Sequence, residues 1–97
     1  MNKIIALSET EIQAKLASYS QWQLQGGKLY RRLVFKDFTQ AFGFMAQVAL
    51  VAEKINHHPE WSNIYRTVEI YLTTHDAGGI SQLDFKLLEK VEQLIST

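Results

Sequence analysis

Ile64-Tyr65-Arg66-Thr67-Val68-Glu69-Ile70-Tyr71-Leu72-Thr73-Thr74-His75 alternates apolar and polar side chains over most of its length. Successive side chains of an extended chain point to opposite faces, so Ile64, Val68, Ile70 and Leu72 share one face of a strand. Tyr65, Thr67, Glu69, Tyr71, Thr73 and His75 share the other. One face therefore packs on a core, and the opposite face is polar enough to meet water or a ligand.

The flanking segments carry a different period. From Phe38 to Ile55 the residues Phe38, Ala41, Phe42, Met45, Val48, Ala49 and Ala52 fall on one helical stripe. Phe44, Val51 and Ile55 lie beside that stripe and widen the apolar arc beyond the ~100° that a surface helix needs. That second strip predicts either deeper burial or a subunit interface. Upstream, Trp22 and Leu24 alternate with polar neighbours, Gly26 and Gly27 follow, and Leu29, Arg31, Leu33 and Phe35 alternate again, the pattern of a β-hairpin. Ser8 with Glu11 three positions on is a capping-box signal for a first helix over about Glu9 to Tyr19. Beyond the strand, Asp76-Ala77-Gly78-Gly79 breaks the chain. Ser81 with Asp84 then caps a last helix whose Leu83, Leu87, Val91 and Leu94 form a stripe extended by Leu88 and Ile95. After Pro59 a loop is expected, in which the segment around Trp61 forms a short strand or plain loop. The fold class is α+β, an antiparallel sheet of three to four strands with three helices packed on one face.

The 97 residues predict one domain over residues 1–97. Ten Lys plus Arg balance ten Asp plus Glu, which leaves no cationic excess for a nucleic-acid backbone, so no nucleic-acid partner is expected. No Cys is present, which removes thiol nucleophiles, iron–sulfur clusters and thiolate zinc sites. The apolar run Ile4 to Leu7 is too short for a signal peptide, and nothing approaches the ~20 apolar residues of a membrane span. A soluble cytoplasmic protein with no membrane partner is the expectation.

All three histidines lie between positions 57 and 75. Pro59 pushes His58 out of helical conformation, so the central helix stops just before His57 and His58 and leaves both imidazoles at a helix-to-loop junction. His75 ends the strand before a Gly-containing loop. A metal site is disfavoured, because adjacent residues of extended chain point apart and neither HxH on a strand nor HxxxH on a helix is present. Acid–base catalysis is the functional reading, since an imidazole titrating near ~6.5 both donates and accepts protons at neutral pH. Taken singly, each His is better explained by capping a helix end or satisfying a loop carbonyl, and only their joint arrangement favours the functional reading. Glu53, four residues before His57, is placed to orient that imidazole if the helix persists, and is otherwise a solvated acid. Trp61 suits stacking on a flat heterocycle or ordinary packing. Asp84 is explained by the helix cap, though a cap residue near a pocket also orients a histidine.

The stretch Glu53-Lys54-Ile55-Asn56-His57-His58-Pro59-Glu60-Trp61, then Tyr65, Thr73-Thr74-His75-Asp76, Gly78-Gly79 and Asp84, closely resembles the pterin-4a-carbinolamine dehydratase family. Phe35-Lys36-Asp37-Phe38 with Ala41-Phe42-Gly43-Phe44-Met45 resembles the same family's central helix. The resemblance covers roughly Trp22 to the C-terminus. It implies a dehydratase that removes water from 4a-hydroxytetrahydropterin to give the quinonoid dihydropterin, recycling the cofactor of aromatic amino-acid hydroxylases. It implies no metal and no organic cofactor. His57, His58 and His75 match the family's catalytic histidines; Glu53, Asn56, Trp61, Thr73, Thr74, Asp76 and Asp84 are the residues expected at the substrate. The roles assigned are proton transfer to His57 and His75, and substrate binding with assistance to His58. Familiar animal members carry an acid where Asn56 stands. The resemblance also implies a homodimer or homotetramer formed through the central helix and a sheet edge. The competing expectation is a non-enzymatic oligomeric module that organises another protein.

Overall fold

Ser8 opens the first helix as the sequence requires: its side chain accepts the Glu11 N–H while the Glu11 carboxylate takes the Ser8 N–H. The computed structural model describes residues 3–96. Its elements run α1 (Glu9–Leu16), β1 (Gln23–Gln25), β2 (Lys28–Val34), α2 (Phe38–Ile55), β3 (Glu60–Ile64), β4 (Thr67–Leu72), a single 3₁₀ turn (His75–Ala77) and α3 (Gln82–Ile95). The first helix ends at Leu16 rather than Tyr19. Tighter three-residue bonds, Ser18 N–H to Lys15 and Tyr19 N–H to Leu16, close it and turn Tyr19 and Trp22 toward the core.

The four strands form one antiparallel sheet in the order β1-β2-β4-β3. Gly26 and Gly27 both take positive φ (61° and 77°), as a two-residue hairpin turn matched to the strand twist demands. The chain from Ile64 to His75 is not one strand. A two-residue turn at Tyr65-Arg66 splits it, and Ile64 closes β3 opposite Thr67 of β4. No Gly marks that turn; Tyr65 itself takes φ 52°, and Asn63 Nδ2 donates to the Tyr65 and Thr67 carbonyls, each at 3.0 Å, to hold it. The segment around Trp61 is therefore a strand that begins directly after Pro59, with no intervening loop.

Val68, Ile70 and Leu72 of β4 are fully buried beside Leu29 and Leu33 of β2, on the face covered by the helices. From α2 the core receives Ala41, Phe44, Val48 and Ala52, with Val51 and Ile55 packed against it. Ala41, Met45, Val48 and Ala52 of the expected stripe thus face inward, and the second strip takes the deeper burial that is one of its two readings. Phe44, Val51 and Ile55 face inward, Phe44 meeting Phe35 at 5.0 Å between ring centres, whereas Phe38, Phe42 and Ala49 lie exposed together with Leu50. The apolar arc is wide enough for either edge to serve, and its packing partners, Phe35 among them, take the edge containing Phe44. From α3 the core takes Phe85, Leu87, Leu88 and Val91. No helix among the described residues is long and apolar enough to cross a membrane.

Candidate active site

The candidate residues gather where α2 ends, β3 starts and β4 leaves the sheet. The helix stops in two steps. Asn56 takes the left-handed conformation (φ 54°), its N–H bonding the Glu53 carbonyl at 3.2 Å, and the His57 N–H bonds the Ala52 carbonyl at 3.0 Å. That pair of bonds is the Schellman closure, and Asn is among the few side chains besides Gly that adopt the required backbone readily. Asn56 thus has a backbone reason to be where it is, and it swings the two following histidines onto different partners.

His57 turns inward, with its side chain 11% exposed, and its Nε2 lies 2.6 Å from Oδ1 of Asp84, which is fully buried on the first turn of α3. The other oxygen of Asp84 accepts the Thr74 hydroxyl at 2.8 Å and the Ser81 N–H at 2.9 Å. The carboxylate is both the capping group of α3 and the partner of His57, which combines the two explanations open from sequence. A buried carboxylate requires such donors, because no water replaces them.

His58 faces solvent, and its Nε2 sits 2.8 Å from Oε1 of Glu53. The expectation that Glu53 orients His57 is therefore corrected: the left-handed turn at Asn56 takes His57 away from the helix surface and presents His58 to that carboxylate instead. His75 begins the 3₁₀ turn, exposed, with Nε2 at 2.7 Å from Oε2 of Glu60. Glu60 in turn accepts from Lys28 Nζ. The Lys28 ammonium first, and His75 second, hold the Glu60 carboxyl below its usual range. Glu60 and Lys28 escaped the sequence reading of the site. The signal for Glu60 was its place beside Trp61: once that segment is a strand, neighbours point to opposite faces, and Glu60 joins the outer face opposite Tyr71.

Trp61 lies opposite Ile70 on the helix-covered face, half-buried against the core. Thr73 is half-buried and, with Gly26, Gly27, Lys28, His75, Gly78 and Gly79, lines a cleft of about 390 Å³ between the β1–β2 hairpin and the 3₁₀ turn. Thr74 is buried and paired with Gly79 across that turn. Asp76 lies exposed in the same turn and joins none of these hydrogen bonds. The arrangement brings His57 and Thr74 onto the two oxygens of Asp84. His75 follows Thr74 in the chain and reaches Glu60, which starts two residues after His58. No one described cleft is lined by all three imidazoles. Among the described residues no group of three or more His, Asp and Glu side chains is arranged to hold a metal ion.

Each imidazole thus meets one carboxylate through Nε2, an arrangement that orients the ring. A phenol is held by a carboxylate in the same way: Tyr30 donates to Glu69 at 2.5 Å, and that bond, aided by burial, pushes its pKa up to about 12. It stays protonated across the neutral range.

Comparison with known proteins identifies the family of the chain. The family model described as pterin 4 alpha carbinolamine dehydratase matches residues 5–94. A protein of Solibacter usitatus named "Putative pterin-4-alpha-carbinolamine dehydratase" is 54% identical, the match covering 91% of this chain and 93% of that one. A protein of the same name from a Chelativorans strain is 49% identical over 88% of this chain and 89% of its own. A crystal structure of a Brucella melitensis protein described as "transcriptional coactivator/pterin dehydratase" superposes with a TM-score of 0.88 at 44% identity, covering 92% of this chain and 97% of that chain. With a model match over nearly its whole length and relatives near half identical, the chain belongs to the pterin 4 alpha carbinolamine dehydratase family.

Proposed function

We propose that this chain is a hydro-lyase that converts 4a-hydroxytetrahydropterin to quinonoid dihydropterin and water, with His57, His58 and His75 as its acid–base groups. The observation that supports the reading most is the pairing of three imidazoles with three carboxylates around one end of the sheet, in a chain of this family. The reaction needs two proton transfers. One imidazolium donates to the departing 4a-hydroxyl, so the C4a–O bond breaks and water leaves. A neutral imidazole takes the proton from the adjacent ring nitrogen, whose electron pair becomes the new C=N bond. His57 and His75 handle these protons, and His58 binds the ring and assists. Glu53, Asn56, Thr73 and Asp76 supply polar contacts at the rim and Trp61 an apolar one. Thr74 and Asp84, being buried, serve the substrate through His57. The same reading includes a homo-oligomer, for which exposed Phe38, Phe42 and Leu50 on α2 and Ile64 on the edge strand offer apolar surface.

Freshly generated 4a-hydroxytetrahydropterin, followed by ultraviolet absorbance, tests the activity. The expected result is loss faster than in buffer; folded protein that leaves the spontaneous rate unchanged defeats the reading.

A second reading, an oligomeric binding module without catalysis, draws on that exposed apolar strip and on the coactivator description of the Brucella relative. It predicts that His57→Ala leaves the biological phenotype intact, whereas the dehydratase reading predicts its loss.

A further inference from the structure

We propose that Thr74 and Ser81 are positioning residues which decide the nitrogen of His57 that carries its proton, through a one-way relay of hydrogen bonds starting at the N-terminus of α3. The consequence for turnover rests on the dehydratase reading; the relay itself does not.

Its direction follows from counting protons. Asp84 Oδ2 accepts from both the Thr74 hydroxyl and the Ser81 N–H. The single hydroxyl hydrogen of Thr74 goes to Asp84 Oδ2 at 2.8 Å, so in the 2.7 Å contact between Thr74 Oγ1 and Ser81 Oγ the donor is Ser81. Ser81 Oγ accepts in turn from the Leu83 N–H at 3.2 Å, and the Ser81 N–H donates to Asp84 Oδ2 at 2.9 Å. The order is Leu83 N–H to Ser81 to Thr74 to Asp84. With two donors fixed on Oδ2, Oδ1 is turned to Nε2 of His57 at 2.6 Å and accepts a hydrogen bond from its N–H. Thr74, Ser81 and Asp84 are 4%, 1% and 0% exposed, so water does not compete, and each donor polarises the next. The positive end of α3 adds to the same field.

A neutral His57 held this way carries its hydrogen on Nε2 and its lone pair on Nδ1. A protonated His57 carries the extra hydrogen on Nδ1. In both states Nδ1 is the atom that exchanges protons with a bound pterin, and the relay keeps the ring from presenting the other one.

The test is ¹⁵N NMR of histidine-labelled full-length chain, with the His57 signals identified by their loss in His57→Ala, alongside kcat and KM for 4a-hydroxytetrahydropterin. Neutral wild-type His57 is expected to show a protonated Nε2 and an unprotonated Nδ1. Thr74→Val and Ser81→Ala should shift it toward a tautomer mixture and lower kcat by about 10- to 100-fold, as loss of a partner behind a functional imidazole does, with little change in KM. Thr74→Ser, which keeps the hydroxyl, should restore both. A wild-type His57 protonated on Nδ1 overturns the relay even if no variant folds. So do folded Thr74→Val and Ser81→Ala chains whose His57 signals match wild type. The predicted spectra in a chain that does not dehydrate the pterin would support the relay and remove the dehydratase reading.

Discussion

Two kinds of histidine–carboxylate pair stand within a few residues of each other, and their distances hardly differ. His57 and Asp84 meet at 2.6 Å with side chains 11% and 0% exposed; His58 and Glu53 meet at 2.8 Å with 55% and 81% exposed. In the first pair water cannot substitute for a lost partner, so removing either group leaves the other unsatisfied. In the second, solvent screens the attraction and rehydrates both groups on separation. Contact length is therefore a poor guide to importance here; the surroundings of the carboxylate decide it. His75 with Glu60 sits at the exposed end of this range, at 2.7 Å.

The contrast is most sharply tested by activity. His57→Ala should lower kcat by about 100-fold or more, the range for a lost acid–base group, while His58→Ala should act chiefly on KM. Equal effects from the two, measured by steady-state kinetics, would erase the distinction. Next in size is Asp84→Ala, which strips partners from His57, Thr74 and the Ser81 N–H together. We expect a loss of about 3 kcal/mol in urea unfolding from the missing cap and the stranded buried donors. Glu53→Ala, its exposed counterpart, should stay within about 0.5 kcal/mol. Asn56 controls which histidine goes to which carboxylate. Asn56→Gly should preserve stability and activity, whereas Asn56→Val, strained at φ 54°, should cost about 1–2 kcal/mol and lower activity together with it. The smallest effect concerns pH. Lys28 and His75 depress the Glu60 carboxyl below its ordinary 4.5, so its stabilising contribution is complete above that value and is lost as pH falls through the lower folded value. Glu60→Gln should lower Tm by a small constant amount above about pH 5 and flatten that part of the acid-side fall, so that the two curves converge at low pH.

Local signals carried much of the fold into the sequence. The change from period two to period 3.6 gave α2 its observed bounds, Phe38–Ile55, and two capping boxes marked the starts of α1 and α3. Gly26-Gly27 announced the first hairpin because a two-residue turn of that kind needs positive φ at both positions. The residues around Trp61 fit a strand or a loop, and the turn of the second hairpin was not located because Tyr65 adopts positive φ without being Gly or Asn, supported by an Asn63 side chain two residues away. Whether Phe44, Val51 and Ile55 or Phe38, Phe42 and Ala49 join the core beside Ala41, Val48 and Ala52 was not legible, because the apolar arc of α2 exceeds what one core needs and only the packing partner selects a side. At the site the three histidines were legible from their clustering before Pro59 and at the strand end. Their carboxylates were not, apart from Asp84 as an open possibility. The His57–Asp84 contact spans 27 residues and the His75–Glu60 contact 15, separations at which no helical or strand spacing applies. Glu53, at a spacing that does carry a rule, was given the wrong histidine because a single left-handed residue intervenes.

The central claim is that imidazoles from α2's end and β4's end serve one pterin ring. A crystal structure of the chain with a dihydropterin bound addresses it most directly. The account predicts the ring seated between His57 and His75, with Nδ1 of His57 within hydrogen-bond distance of the atoms that exchange protons and Asp84 still on Nε2. A pterin bound away from these histidines, or touching only one of them, would contradict it.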